Sequence, residues 1–166
     1  MSNKLDGVMT CDVGFEDHFA YALWSNQNDG RPWRYGKFHA VGSGNKLMNT
    51  VTAFKRRLDL EEGYIKKVIL EGIEFWVTPR GIAGKGDAVQ IAYLVGALIY
   101  VTLESGRECK VVDAKEWRGQ LTDKALNAVI ERHYGFKPVE HVREAIGIGM
   151  NEMGLLHERY RRNSKM

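Results

Sequence analysis

After residue 41 the sequence changes its period, and that change constrains the fold more than any other feature. Before it come three short runs suited to β-strands, at residues 7–12, 18–24 and 35–41. The turn-rich stretch Asn26-Gln-Asn-Asp-Gly-Arg-Pro32 separates the second from the third. Short connections of this kind join antiparallel neighbours, so a three-stranded meander is predicted. From residue 46 onward Leu47, Val51, Phe54 and Leu58 recur at three- and four-residue steps, which predicts an amphipathic helix over 46–60.

Strands and helices then alternate. Lys67-Val-Ile-Leu-Glu71 reads as a short buried strand, and residues 78–86, with Pro79, Gly81, Gly84 and Gly86, read as a loop. Asp87 is the expected N-cap of a helix running through the apolar residues 89–103. A fifth strand is expected at 109–113, and helices at about 122–133 and 139–161, with Gly135 and Pro138 between them. The predicted order is βββαβαβαα. Alternation in the second half requires parallel pairing there. The expected fold is therefore α/β: a mixed five-stranded sheet, three antiparallel strands followed by parallel ones, flanked by helices.

A length of 166 residues suits one domain spanning 1–166, with a basic tail at about 157–166 carrying Arg159, Arg161, Arg162 and Lys165. With 44% hydrophobic and 27% charged residues, the chain reads as soluble and globular. It has only two cysteines, Cys11 and Cys109, so a disulfide scaffold is excluded. Both sit in apolar runs and are expected to be buried, reduced thiols in an intracellular, cytoplasmic protein. The N-terminus, MSNKLDGVMTCD, lacks the apolar core of a secretory signal. Residues 89–103 contain Gln90 and are bracketed by Asp87 and Glu104, short of the ~18 apolar residues of a membrane span, so a buried core helix is expected. The net charge of +3 is compatible with a nucleic-acid partner without demonstrating one.

The carboxylates carry more information. Asp12 closes the first strand and Glu71 the fourth, each ending a run that should be buried, where an unpaired carboxylate is costly. Ligands of open α/β sheets bind at such carboxyl ends of strands. On the last helix His141 and Glu144 are three residues apart and project from one face, as do Glu140 and Glu144 at a spacing of four. Taken singly, each has a plain structural explanation as a turn residue, an ion-pair partner or part of a solvated helix face. Together, three carboxylates and an imidazole suit hard divalent cations, and a pair of such ions is the machinery of phosphodiester cleavage.

These pieces also carry a family resemblance. The strand ending Asp12-Val-Gly14, the strand Val68-Ile-Leu-Glu71 and the helix segment His141-Val-Arg-Glu144-Ala145 resemble the motifs of RuvC-type Holliday-junction resolvases, members of the RNase H-like nuclease superfamily. The stretch Lys115-Glu-Trp-Arg-Gly-Gln-Leu121 is similar to the Trp-Lys/Arg-Gly-Gln segment of phage-borne relatives, which suggests a viral or prophage origin. The resemblance implies Asp12, Glu71, His141 and Glu144 as the metal and catalytic set, holding two Mg²⁺ or Mn²⁺ ions bridged by Asp12. It implies Lys115 and Lys124 as basic residues near the scissile phosphate. It further implies branched DNA as substrate and a homodimer that nicks a four-way junction symmetrically, with the helix from Val89 as the dimer candidate. Two positions depart from the commonest pattern, which has Asp at both helix sites where this chain has His141 and Glu144. A neutral imidazole removes one negative charge and offers nitrogen, which should favour Mn²⁺ over Mg²⁺.

Other features are secondary. The segment Arg80-Gly-Ile-Ala-Gly-Lys-Gly86 lacks the Gly-Lys-Ser/Thr ending of a P-loop. It reads either as a plain connection or as a mobile loop whose Arg80 and Lys85 touch the DNA backbone. With Lys115, Arg118 and Lys124 these make the expected phosphate contacts. Of the aromatic residues Trp33, Tyr35, Phe75 and Trp76, most are expected in the core, and Trp76 is the candidate to stack on unpaired bases at a branch point. No Ser/His/Asp, Cys/His or zinc-ligand spacing is present. Two readings compete with the resolvase: an RNase H-like nuclease acting on RNA–DNA hybrids or flaps, and a non-catalytic branched-DNA-binding module.

Overall fold

Residue alternation along the central strands sorts the core into two layers. The computed structural model describes residues 5–15, 18–39, 42, 44–72, 77, 78, 81, 82 and 85–156. Strand β1 (Val8–Asp12) pairs antiparallel with β2 (Ala20–Trp24), and β2 pairs antiparallel with β3 (Pro32–Lys37). On its other side β1 runs parallel to β4 (Lys67–Glu71). A two-stranded antiparallel pair, β5 (Val77–Thr78) with β6 (Gly81–Ile82), overlaps the segment 78–86 predicted as a loop. The last strand, β7 (Glu108–Val112), pairs parallel with β4. The sheet order is β3-β2-β1-β4-β7, the mixed five-stranded sheet expected from the alternation of periods.

Among the described residues five α-helices accompany these strands: α1 (Lys46–Leu60), α2 (Lys85–Glu104), α3 (Ala114–Arg118), α4 (Asp123–Tyr134) and α5 (Glu140–Glu152). Met9, Cys11, Tyr21, Leu23, Val68 and Leu70 form one layer with Phe54 and Leu58 of α1 and Leu94 and Leu98 of α2. The alternate residues Val8, Ala20, Ala22, Trp24 and Ile69 form the other with α5. Because side chains alternate faces along a strand, Thr10 and Asp12 share the α5 face. Residues Val142 to Met150 of α5 are all buried. The helix lies so close to the sheet that a Cβ at Gly147 would come within 2.6 Å of the Trp117 ring, and one at Gly149 would overlap the Trp24 ring. Glycine weakens a helix interior by ~1 kcal/mol, but here only glycine leaves room for two indoles.

Several sequence expectations shift. Strand β3 starts earlier than the predicted 35–41 and spans Pro32–Lys37, because Arg34 and Tyr35 stay in register with Leu23 and Ala22. Phe38 still donates its N–H to the Phe19 carbonyl at 2.8 Å while its ring joins the α1 layer. Residues 40 and 41 lie outside the described residues. Helix α2 begins at Lys85, so Asp87 lies inside its first turn and is not its N-cap. It is also not a buried core helix throughout: Leu94, Val95 and Leu98 face inward, but Val89, Tyr93, Tyr100 and Leu103 are exposed. Helix α5 stops at Glu152 rather than Arg161, since Gly154 turns left-handed at φ 75° and the Leu155 N–H returns to the Met150 carbonyl at 2.9 Å. The short α3 is an element the periodicity does not predict, and Cys109 is half-buried, unlike the fully buried Cys11. Among the described residues no helix is long and apolar enough to cross a membrane.

Candidate metal centre

Parallel pairing places the two strand-end carboxylates side by side. In the β1–β4 register Cys11 stands opposite Leu70, so Asp12 and Glu71 follow together at the same end of the sheet. Helix α5 then crosses that end. It is held down by the Thr10 hydroxyl, which donates to the Ala145 carbonyl at 2.6 Å and accepts from the Trp24 indole at 2.8 Å. This anchor brings His141 and Glu144 over Asp12. One ligand atom from each of Asp12, His141 and Glu144 lies within 4.8 Å of the others, a group that could hold a metal ion. Glu140, the alternative partner in the helix pattern, is exposed and does not belong to this group.

Each member is oriented by neighbours. His141 Nδ1 sits 2.7 Å from Asp12 Oδ2, and its Nε2 sits 2.8 Å from Nδ1 of His18, so the imidazole is gripped at both nitrogens. Glu71 accepts a hydrogen bond from the Trp117 indole at 3.0 Å. Glu144 receives Arg143 at 2.8 and 3.1 Å and Arg118 at 3.5 Å, all on Oε1. Asp123 draws the same two arginines from the other side, Arg118 by a short contact and Arg143 at 3.1 Å. Oε2 of Glu144 is buried and has no hydrogen-bond partner among the described residues. Native proteins rarely leave such an atom unpaired, and a cation is one partner that would complete it.

The electrostatics point the same way. Burial pushes the Asp12 carboxyl up to about 7, against a relieving hydrogen bond from Glu71, with the Glu144 and Glu140 charges adding to the rise. Burial also pushes Glu71 up to about 8, reinforced by the adjoining Asp12, while Trp117 and Arg118 oppose it. Glu144 is raised by burial too, and its arginines pull it partly back. Adjacent buried carboxylates resist ionising together unless positive charge enters. Oxygen-rich donors, one imidazole, and an unpartnered buried oxygen therefore fit a divalent cation.

The remaining expected residues are distributed around this centre. Lys115 is exposed on α3, and Lys124 is exposed in the first turn of α4 beside Asp123. Arg118, read as a DNA contact, is turned toward Glu144, Asp123 and the Leu121 carbonyl. Trp76 and Arg80, like Phe75 and the tail at 157–166, lie outside the described residues, and the side chain of Lys85 does too. Trp33 packs edge-on against Tyr64, and Tyr35 stacks on Phe136. Three contributors escape a reading of the sequence: His18, Arg143, and Trp117 as the residue that holds Glu71. The Trp-Arg-Gly-Gln stretch signals that Trp117 matters, but nothing in spacing ties His18 to a residue 123 positions away.

Comparison with solved structures places this arrangement on a known architecture. Thermus thermophilus RuvC in complex with a Holliday junction substrate aligns with a TM-score of 0.63 at 16% identity, covering 95% of each chain. Thermus thermophilus RuvC in a second structure aligns at 0.58 and 16% identity, over 95% of this chain and 96% of that one. The yeast mitochondrial Holliday junction resolvase Ydc2 aligns at 0.56 and 11% identity, covering all of this chain and 87% of its own. No family model and no curated protein matches the sequence. At such identities the likeness is one of backbone, and it confirms the expected architecture: the chain has the RNase H-like fold of RuvC.

Proposed function

We propose that this protein is a metal-dependent, structure-selective endonuclease that hydrolyses phosphodiesters in Holliday junctions or related branched DNA. One observation carries the reading. On a resolvase-like backbone, Asp12, His141 and Glu144 converge with a buried carboxylate oxygen left unpartnered. A module that only bound DNA would gain nothing from gathering like charges where phosphates must approach.

Asp12, Glu71, His141 and Glu144 would hold Mg²⁺ or Mn²⁺. When bound, a pair of such ions activates water and stabilises the departing oxygen in phosphodiester hydrolysis. The chain's own residues prepare that chemistry. Trp117 fixes Glu71, His18 fixes the ring of His141, and Arg143 with Arg118 fixes Oε1 of Glu144 so that Oε2 is free to ligate. Lys115 and Lys124 neutralise charge on the phosphate. Homodimerisation is supported by the exposed side of α2, where Val89, Tyr93, Gly96, Tyr100 and Leu103 recur at alternating steps of four and three. That spacing is the seam of a helix pair.

The test is nicking of a labelled four-way junction in Mg²⁺ or Mn²⁺, with Asp12→Asn as control and linear duplex and RNA–DNA hybrid beside it. Paired nicks on the junction alone, lost in the variant, are expected. Cleavage of the hybrid instead would retain the metal chemistry and overturn the substrate. Binding without cutting in either metal would overturn the enzyme.

A further inference from the structure

A second concentration of positive charge lies on the opposite flank of the sheet from α3 and α4. A groove of about 300 Å³ opens between the end of β3 and α1, and Lys37, His39, Asn49, Arg56 and Arg57 line it without any carboxylate among them. Elsewhere on α1 and β3 the cations are paired: Lys55 with Asp59 at 2.9 Å and Arg34 with Glu61 at 2.9 Å. Arg57 is partly engaged, 3.4 Å from Glu61 and stacked over Tyr21. Lys37, His39 and Arg56 have no ion-pair or hydrogen-bond partner among the described residues. Unpaired cationic or protonatable residues lining one concavity, with no carboxylate among them, leave it attractive to an anion.

The sheet register relates this groove to the metal centre. Asp12 pairs with Ala20, and Ala20 pairs with Lys37, so the three residues stand in one row across β1, β2 and β3. At ~4.8 Å between strands, the Lys37 backbone is on the order of 10 Å from that of Asp12. That span is about three nucleotide rises of a DNA strand at ~3.4 Å each. The metal centre opens on the α5 face and the groove on the α1 face, so backbone phosphates pass from one to the other around the β3 edge of the sheet.

We infer that the β3–α1 groove, through Lys37 and Arg56 with His39 and Arg57, binds the phosphate backbone of a duplex arm of the substrate that wraps the β3 edge of the sheet. The inference rests on the branched-DNA reading above and adds a contact surface to it. Its chemistry is sequence-independent, since guanidinium and ammonium groups recognise phosphate oxygens alike in every base context. The groove sets where a duplex arm lies relative to the metal centre and leaves the reacting atoms to Asp12 and its neighbours.

The experiment compares wild-type protein with the double variant Lys37→Ala/Arg56→Ala, and with Lys37→Arg/Arg56→Lys, which keeps both charges. Junction affinity is measured across a salt series, and nicking at saturating junction. The alanine pair is expected to bind about tenfold or more weakly, with a log–log salt slope shallower by about two, a step of ~0.9 for each phosphate no longer neutralised. Its nicking rate at saturation and its melting temperature should match wild type, and the charge-keeping pair should bind as wild type does. Unchanged affinity and salt slope in the alanine pair, with wild type binding and cutting normally, overturns the groove alone and leaves it to an acidic protein segment. A wild-type protein that neither binds nor cuts the junction overturns the branched-DNA reading, and the groove assignment falls with it.

Discussion

The indole of Trp117 joins two distant parts of the fold: its N–H donates to Glu71 at 3.0 Å, and its ring fills the space left by Gly147 on α5. One side chain thus orients a carboxylate of the metal centre and sets how closely α5 approaches. Trp117→Phe keeps most of the packing and removes the donor. It should cost about 1 kcal/mol of stability. Loss of a residue that orients a metal ligand typically weakens metal affinity about 10–100-fold. Calorimetric titration with Mn²⁺ beside thermal melting separates the two effects, and unchanged affinity would sink the orienting role.

Asp12 and Glu71 give the metal-free protein an inverted pH dependence. Their ordinary values of 3.8 and 4.5 rise to about 7 and about 8 in the fold, chiefly through burial. The folded state therefore holds protons that the unfolded chain has already released. This stabilising difference is present below about pH 4 and is lost as pH climbs toward 8, by up to about 1.4 kcal/mol per pH unit for each retained proton. Melting temperatures in chelator should fall over that window, and Asp12→Asn should flatten the fall. Because ligation displaces protons, Mn²⁺ should bind more tightly as pH rises. Stability that rises between pH 5 and 8 in chelator would contradict this account.

His141 should decide the choice of ion. An imidazole in a carboxylate-rich set favours Mn²⁺ over Mg²⁺, so nicking is expected to be faster in Mn²⁺, and His141→Asp should shift the preference toward Mg²⁺. His18→Ala leaves the ring of His141 held from one side only, and Mn²⁺ affinity should drop about tenfold or more without a matching loss of stability. Equal or better turnover in Mg²⁺ by the unaltered protein counts against the assignment.

Close approach of α5 to the sheet predicts an asymmetry between its glycines and Gly96 of α2. Gly149→Ala forces a methyl into Trp24 and should destabilise by about 1–3 kcal/mol. Gly96→Ala meets nothing within 4 Å and should be neutral to slightly stabilising in the isolated chain, as helix propensity favours alanine. Urea unfolding of both variants checks the contrast.

The exposed side of α2 carries Tyr93 and Tyr100 at 67% and 66% exposure. If this seam joins two copies, Tyr93→Glu/Tyr100→Glu should convert a dimer to a monomer in light scattering and abolish paired nicking while each site still nicks singly. A wild-type monomer at micromolar concentration would remove the seam from the account.

Much of this molecule follows from local pattern. Three short strands before residue 45, one amphipathic helix and then alternation dictated the mixed sheet, since the period of apolar residues reports which face each element buries. Asp12 and Glu71 stood out because charge interrupts runs that burial would otherwise keep apolar. The i, i+3 step put His141 and Glu144 on one helical face. Pairing across the sheet and the depth at which α5 sits depended on contacts that no short window contains. Gripping of His141 by His18, the hold of Trp117 on Glu71, the single unpartnered oxygen of Glu144 and the row from Asp12 through Ala20 to Lys37 join residues far apart in the chain. Their geometry is set by strand register and by glycines that yield space to indoles. Periodicity specifies the faces of an element, and only packing of those faces decides which distant side chains meet.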